Sequence, residues 1–358
     1  MNIYIVDGLN GIIDIIDTFQ SVIWNMQYFG SGDFELIVAG TPKNIKRFEV
    51  GKMLVRDGDV LNNTYNNVML IESRELDYNV ETGWTLTLRG GGIKRILARR
   101  IVWNQTNLTG KVEALIRQVI IDNVINPAVP QRKIDDFVLD DLQGFSDEIK
   151  NDDAENQLSG ENIAEWLESV CTTYGIGWDV YIKNGKYVFK LYKGTDRTYN
   201  QTEVIPVVFS PEFDNLIDSK YTYDLTEYKN AGIVAGEGEG TAQRIVSVGS
   251  ATGLDRYEMY IDGSSVSSNG EIITLDTYMK MLTDYGNEQL KTTQLNEKVE
   301  GEIIANGMYK LNEDYFLGDL VQIENENGIS AQTRIIELIY SEDENGSSLI
   351  PTFSDWTE

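Results

Sequence analysis

Turn pairs that reach positive φ cheaply punctuate this chain and constrain its fold more than any other feature. Asn184-Gly185, Asn327-Gly328 and Asn345-Gly346 lie between runs of alternating residues, and Asp57-Gly58 joins KMLVR to DVL. Such pairs mark two-residue hairpins between twisted strands. WDVYIKNGKYVFKLY therefore predicts a β-hairpin, in which Tyr187, Phe189 and Leu191 alternate with Val188, Lys190 and Tyr192. DLVQIENENGISAQTRIIELIYSEDENGSSLIPTF repeats the pattern and predicts an antiparallel meander of three strands.

Three segments break the β rhythm. In TGKVEALIRQVIIDNVINP, Val112, Leu115, Ile116, Val119, Ile120 and Ile125 form a helical stripe, with Thr109 as the expected cap and Pro127 as the stop. SGENIAEWLESVCTTYGIG predicts a helix capped by Ser159, with Ile163, Trp166, Leu167, Val170 and Tyr174 on one side and Gly175 at its end; Cys171 becomes a small core residue. LDTYMKMLTDYGNEQLKTTQ places Tyr278, Met281, Leu282, Tyr285 and Gln289 at helical spacing, and the helix is expected to pack across a sheet despite Gly286. The stretch from Asp135 to Gly160 crowds nine acids, among them Asp140, Asp141, Asp152, Asp153 and Glu155, and reads as an exposed connection between subdomains.

The run AGEGEG (Ala235–Gly240) could be read as a phosphate cradle. A cradle needs backbone N–H groups beside a helix start, whereas Glu237 and Glu239 would set negative charge against the anion and the following TAQRIVSV reads as a strand. A turn between two strands is the expectation.

Histidine is absent and Cys171 is the single cysteine. That removes Ser-His and Cys-His nucleophile pairs, His-ligated zinc, intrachain disulfides and thiolate metal clusters. No cofactor and no enzymatic activity are expected, although the paired carboxylates of a glycosidase cannot be told apart among 57 acids. The acidic runs at Asp140-Asp141 and Ser341–Gly346 do not follow a calcium-loop spacing. A net charge of −27 argues against nucleic-acid affinity and against an anionic membrane surface. The first residues, MNIYIVDGLNGIIDIID, carry three Asp and no basic region, so neither a secretory leader nor a membrane anchor is expected.

Two Asp-Arg steps are candidate contact residues: Asp196-Arg197 in YKGTDRTYN and Asp255-Arg256 in GLDRYEMYID. Such a pair can fork onto a partner and hold a loop or a subunit contact, or it can simply face water. Nineteen tyrosines and six tryptophans keep a carbohydrate-binding surface open as a second reading.

The order of SVIWNMQYFGSGDFELIV, LRGGGIKRILARRIV, YKGTDRTYNQ, VVFSPEFDNL, EYKNAGIVAGEGEG, GLDRYEMYID and YFLGDLVQIENENGISAQTRIIEL resembles the siphovirus Gp37-like tail proteins of phages and prophages. The resemblance spans nearly the whole chain. It implies a mainly β, multidomain tail-hub fold with α+β elements. Two barrel-like antiparallel β domains, residues 1–99 and 211–358, would flank a mixed α/β region at 100–210 that holds the acidic connection 135–160, with a helix near 275–295. It further implies a homotrimer at the distal end of the virion tail, assembled in the bacterial host cytoplasm. The trimer would join a distal tail or tail tube protein to tail fibre or tip proteins and let DNA pass without specific binding. The alternative is an adhesin that recognises a carbohydrate receptor at the tail tip.

Overall fold

The computed structural model describes residues 1–81, 83–149, 157–268, 273–304 and 307–354. The chain forms two compact units, one from Met1–Ser219 with Glu300–Glu358 and the other from Lys220–Val299.

In the first unit, hairpin chemistry builds one large antiparallel sheet. Nine of its strands run in the spatial order Ile12–Ile16, Ile3–Val6, Met53–Arg56, Met69–Asn79, Gly83–Gly92, Asp33–Ala39, Ser21–Gln27, Ser330–Asp343 and Gly346–Phe353. The C-terminal meander of Leu320–Glu324, Ser330–Asp343 and Gly346–Phe353 forms as read, and its middle strand pairs with Ser21–Gln27, from Glu337 opposite Gln27 to Asp343 opposite Ser21. The first and last segments of the chain therefore share one sheet and one unit.

The expected barrels are corrected: among the described residues no sheet closes on itself. Closure needs the two outermost strands to pair with a matching shear. Here Ile12–Ile16 pairs only with Ile3–Val6. Residues on both sides of its strands are buried, Ile5, Trp24, Leu36, Leu54 and Leu88 among them, and on one side other elements cover the sheet. Val6, Val55 and Leu70 pack in one core with Leu97, Ile116, Ile120, Leu167, Val170, Trp178 and Phe189.

The covering elements include the short 3-10 helix Ile93–Arg99, two α-helices and a small sheet, whereas the first α-helix of the chain contributes nothing to this core. Helix α1 (Pro42–Arg47) starts at Thr41, whose hydroxyl accepts from the Asn44 N–H. Helix α2 (Val112–Ile120) presents the foreseen stripe and passes into a π-helical turn, Ile121–Ile125, before Pro127. Its first residue follows Lys111, so Thr109 is not the cap. Helix α3 (Ile163–Tyr174) is capped by Asn162, whose Oδ1 accepts from Ala164 and Glu165, and not by Ser159; it ends at Gly175 in the left-handed region. The small sheet completes the cover, and in it Gly177–Lys183 and Lys186–Tyr192 form the expected hairpin over Asn184 (φ 50°) and Gly185 (φ 73°).

The Asp57-Gly58 hairpin does not form. Asp57–Asp59 makes a 3-10 turn, and Met53–Arg56 pairs with Ile3–Val6 and Met69–Asn79. The tight turn lies one step on, at Asn62 and Asn63 (φ 48° and 58°), between the paired strands Val60–Leu61 and Thr64–Tyr65. Asn tolerates left-handed backbone better than other residues with a side chain, and this Asn-Asn pair supplies the turn.

The described part of the acidic stretch is largely exposed, as Asp135, Asp136, Asp141 and Glu148 show, but it is anchored at several points. Phe137–Leu139 is a parallel strand beside Lys186–Tyr192, and Phe137 is buried. The buried carboxylate of Glu113 in α2 accepts from the backbone N–H groups of Gln143, Gly144 and Phe145 at 2.6, 2.7 and 3.0 Å. Apolar residues between the acids are thus woven into the core. Asp152, Asp153 and Glu155 lie outside the described residues.

The strands Leu216–Asp224 and Asn296–Ile303 carry the chain into and out of the second unit. There Ala231–Ala235 pairs antiparallel with Ile245–Val248 and parallel with Glu258–Asp262. Helix α4 (Leu275–Lys291), capped by the Thr274 hydroxyl, crosses this sheet as expected. Its core is Val234, Val248 and Ile261 against Tyr278, Met281 and Leu282. Gly286 lowers helix propensity by about 1 kcal/mol, yet a Cβ there would come within 2.4 Å of Val234 Cγ2. Close approach of helix and sheet requires the glycine.

Candidate interaction surfaces

Arg197 does not pair with its neighbour Asp196. The Arg197 guanidinium donates through Nε to Asp319 Oδ2 at 2.6 Å, across 122 residues of sequence, and lies over the Phe316 ring. Asp319 is 2% exposed and also accepts from the Thr195 and Phe316 N–H groups. Asp196 accepts from the Thr198 N–H and bends its own loop. Beside it Gly194 approaches so closely that a Cβ would fall 1.8 Å from the Gly318 carbonyl oxygen. The GTDR loop is therefore clamped to the loop before Leu320 by a buried ion pair and a glycine contact.

In the second unit Asp255 and Arg256 also turn away from each other. Gly253–Asp255 is a 3-10 turn whose Leu254 side chain is 99% exposed. Arg256 donates to Glu258 and to the Ala251 carbonyl, at 2.5 and 2.9 Å. The Asn230 side chain donates to the Asp255 carbonyl and accepts from the Tyr257 N–H, which fixes the end of the turn.

AGEGEG is the strand-to-strand turn that was expected, and Glu237 is its knot. Its carboxylate accepts from the Ser268 N–H, the Ser268 hydroxyl and the Ser267 hydroxyl at 2.9, 2.6 and 3.0 Å. The Ser268 hydrogen bonds hold this carboxyl below the usual range. The Tyr278 hydroxyl accepts from the Glu237 N–H and donates to the Val266 carbonyl. Two of the N–H groups that a phosphate would need, those of Gly236 and Glu237, are already engaged by the Arg244 carbonyl and the Tyr278 hydroxyl.

Sequence reading missed Asp319, Glu113 and Lys94. The first two act on backbone far away in sequence, and an isolated acid carries no mark of that. Lys94 lies in the core, where its ammonium donates to the Gln27 and Gly30 carbonyls at 2.7 and 2.8 Å and sits 4.9 Å from the Trp178 ring centre. Burial pulls its pKa down to about 8. Cys171 is buried in the same core, and burial pushes its thiol up to about 12, which leaves it without thiolate reactivity at neutral pH.

Among the described residues no group of acids, cysteine or histidine is arranged to hold a metal ion. The Asp140 carboxylate accepts from the Tyr181 hydroxyl, and Glu342 pairs with the N-terminal ammonium at 3.2 Å. No described helix is long and apolar enough to cross a membrane.

No curated protein matches the sequence. Among solved structures the fold is similar to the 43 kDa tail protein of prophage MuSo2 from Shewanella oneidensis, with a TM-score of 0.61 at 12% identity over 99% of this chain and 98% of that one. It is also similar to the tail protein from Neisseria meningitidis MC58, with a TM-score of 0.58 at 14% identity over 99% and 96% of the two chains. Prophage tail protein gp18 from Listeria monocytogenes EGD-e gives 0.52 at 12% identity over 100% and 96%. At these identities the likeness establishes a shared fold. The sequence itself matches the Siphovirus ReqiPepy6 Gp37-like protein family across residues 2–354, and the chain belongs to that family.

Proposed function

We propose that this chain is a structural hub of the distal phage tail, built as a homotrimer that joins a distal tail or tail tube protein to fibre or tip proteins. The observation that carries the reading is the end-to-end likeness of fold to prophage tail proteins, with at least 96% of both chains matched in each of the three structures compared. Shared architecture over nearly the whole chain supports a shared structural role, by analogy of fold.

The charge of −27 supports a place along the DNA path. A negative wall repels phosphate and lets the polymer slide without sticking. In this reading the turn at Gly253–Asp255, with Leu254 fully exposed, is a subunit contact, and the clamp of Arg197 on Asp319 holds a second contact loop in shape. The protein would reside in the virion tail after assembly in the host cytoplasm.

Light scattering across a concentration series tests the trimer. A mass of three times the 40.4 kDa chain is expected. A mass that stays at one chain at every concentration would sink self-assembly as the basis of the hub. Virions whose lumen-facing acids were neutralised and which still delivered DNA normally would sink the conduit reading.

A further inference from the structure

The hairpin of Met69–Asn79 and Gly83–Gly92 has an uneven coat. The first three residues of Met69–Asn79 are buried and the other eight are exposed. Met69 and Leu70 pair with Leu54 and Met53, and Ile71 exchanges backbone hydrogen bonds with Gly51 and Lys52. A bulge follows between Ile71 and Ser73. From Ser73 to Asn79 the strand pairs, among the described residues, only with Gly83–Arg89, and no described strand lies beside its other edge.

The two faces along that edge differ in chemistry. On one, Leu76 and Tyr78 stand opposite Leu86 and Trp84; Tyr78 is 60% exposed, Trp84 52% and Leu76 42%, and the two rings lie 5.1 Å apart. Val80 at the tip is 88% exposed. On the other face stand Glu75 and Asp77. There Arg89 is shared by Glu35 and Glu75, whereas Arg74, on the face of Leu76 and Tyr78, donates to the Ile45 and Phe48 carbonyls. Among the described residues neither Asp77 nor Glu81 has a cationic partner.

We propose that this edge is a docking site for an extended segment of a partner protein in which lysine or arginine alternates with β-branched or aromatic residues. Backbone pairing would use the open edge, the basic side chains would meet Glu75 and Asp77, and the apolar ones would cover Leu76, Tyr78 and Trp84. Charge selects the occupant. Acids on an exposed edge repel strands of like charge, a common guard against self-pairing, and in a chain of −27 they disfavour a second copy of this protein while attracting a basic strand.

The probe is a blocked peptide, Lys-Val-Lys-Tyr-Lys-Val-Lys, titrated into the full-length protein by calorimetry at low salt. Binding is expected, weakened about tenfold or more by Asp77→Lys and by Tyr78→Ala, both at exposed positions. Of two peptides N-methylated at alternate residues, at least one should lose about tenfold, because methylation blocks one hydrogen-bonding edge. The proposal is overturned by no binding, by unchanged affinity in both variants, or by full affinity in both methylated forms. Equal affinity for Lys-Ser-Lys-Ser-Lys-Ser-Lys would overturn it too, reducing the effect to bulk charge. Retention of cell-wall polysaccharide by the wild type but not by Tyr78→Ala would assign the patch to sugar and likewise overturn it.

Discussion

The chain contains two Asp-Arg steps that look alike in sequence and end in opposite environments. Arg197 reaches Asp319, whose side chain is 3% exposed, whereas Arg256 reaches Glu258, whose side chain is 65% exposed. The distances barely differ, 2.6 against 2.5 Å. What differs is water. A buried carboxylate that loses its cation is left charged in a poor solvent, while an exposed one is simply rehydrated. Pair geometry alone therefore says little about stability, and burial decides which arginine matters.

The sharpest way to break this comparison is Asp319→Ala. It strands Arg197 and frees the Thr195 and Phe316 N–H groups, and a loss of about 3–5 kcal/mol is expected in denaturant unfolding. A loss below about 1 kcal/mol would put the two sites on the same footing.

Lys94 sharpens the comparison by offering a buried cation that is held by carbonyl oxygens. Its pKa is about 8 in the fold against 10.5 for the ordinary lysine that it becomes on unfolding. Between those values the unfolded chain binds the extra proton, so stability should rise with pH from about 8 toward 10.5, by on the order of 3 kcal/mol if the other groups stay silent. Buried tyrosines with raised pKa values, Tyr28 and Tyr192, oppose the gain from about pH 10 upward, since ionisation then favours the unfolded chain. The Cys171 thiol, raised from 9.0 to about 12, opposes it from about pH 9, so unfolding midpoints at pH 8, 8.75 and 9.5 should increase in the wild type and fall slightly in Lys94→Met. A falling wild-type series would refute the assignment.

Arg256→Ala should change stability by less than about 1 kcal/mol. The effect should shrink further in 1 M salt, which screens the exposed pair. A larger loss would mean that its bond to the Ala251 carbonyl, and not the ion pair, holds the turn.

Local signals in the sequence were strong where backbone chemistry is local. The Asn184-Gly185 hairpin, the closing meander, the stripe of α2 and the crossing of α4 all follow from turn residues and periodicity over a few positions. Caps were harder. Asn162 displaced Ser159, and Thr109 lost its role because α2 begins at Val112 with no side-chain cap. The open sheet was hidden for a different reason. Whether outer strands meet depends on how helices and a second sheet cover one face, and no alternation pattern within a strand encodes that. Asp319 and Glu113 were hidden because Arg197 and Thr195 lie 122 and 124 residues from the one, and the loop bound by the other lies 30 to 32 residues away.

The pairing of Ser21–Gln27 with Ser330–Asp343 sets a schedule for synthesis. The Gln27 side chain donates to Glu337 across 310 residues, so the strand made early waits for one made near the end. At roughly 5–20 residues per second the wait is about 15–60 s on the ribosome. During that interval Trp24 and Phe34, buried in the finished protein, lie on a strand and its neighbour beside an unfilled edge. The nascent chain is exposed to mispairing for as long as translation lasts, and slow codons between these segments would lengthen that window.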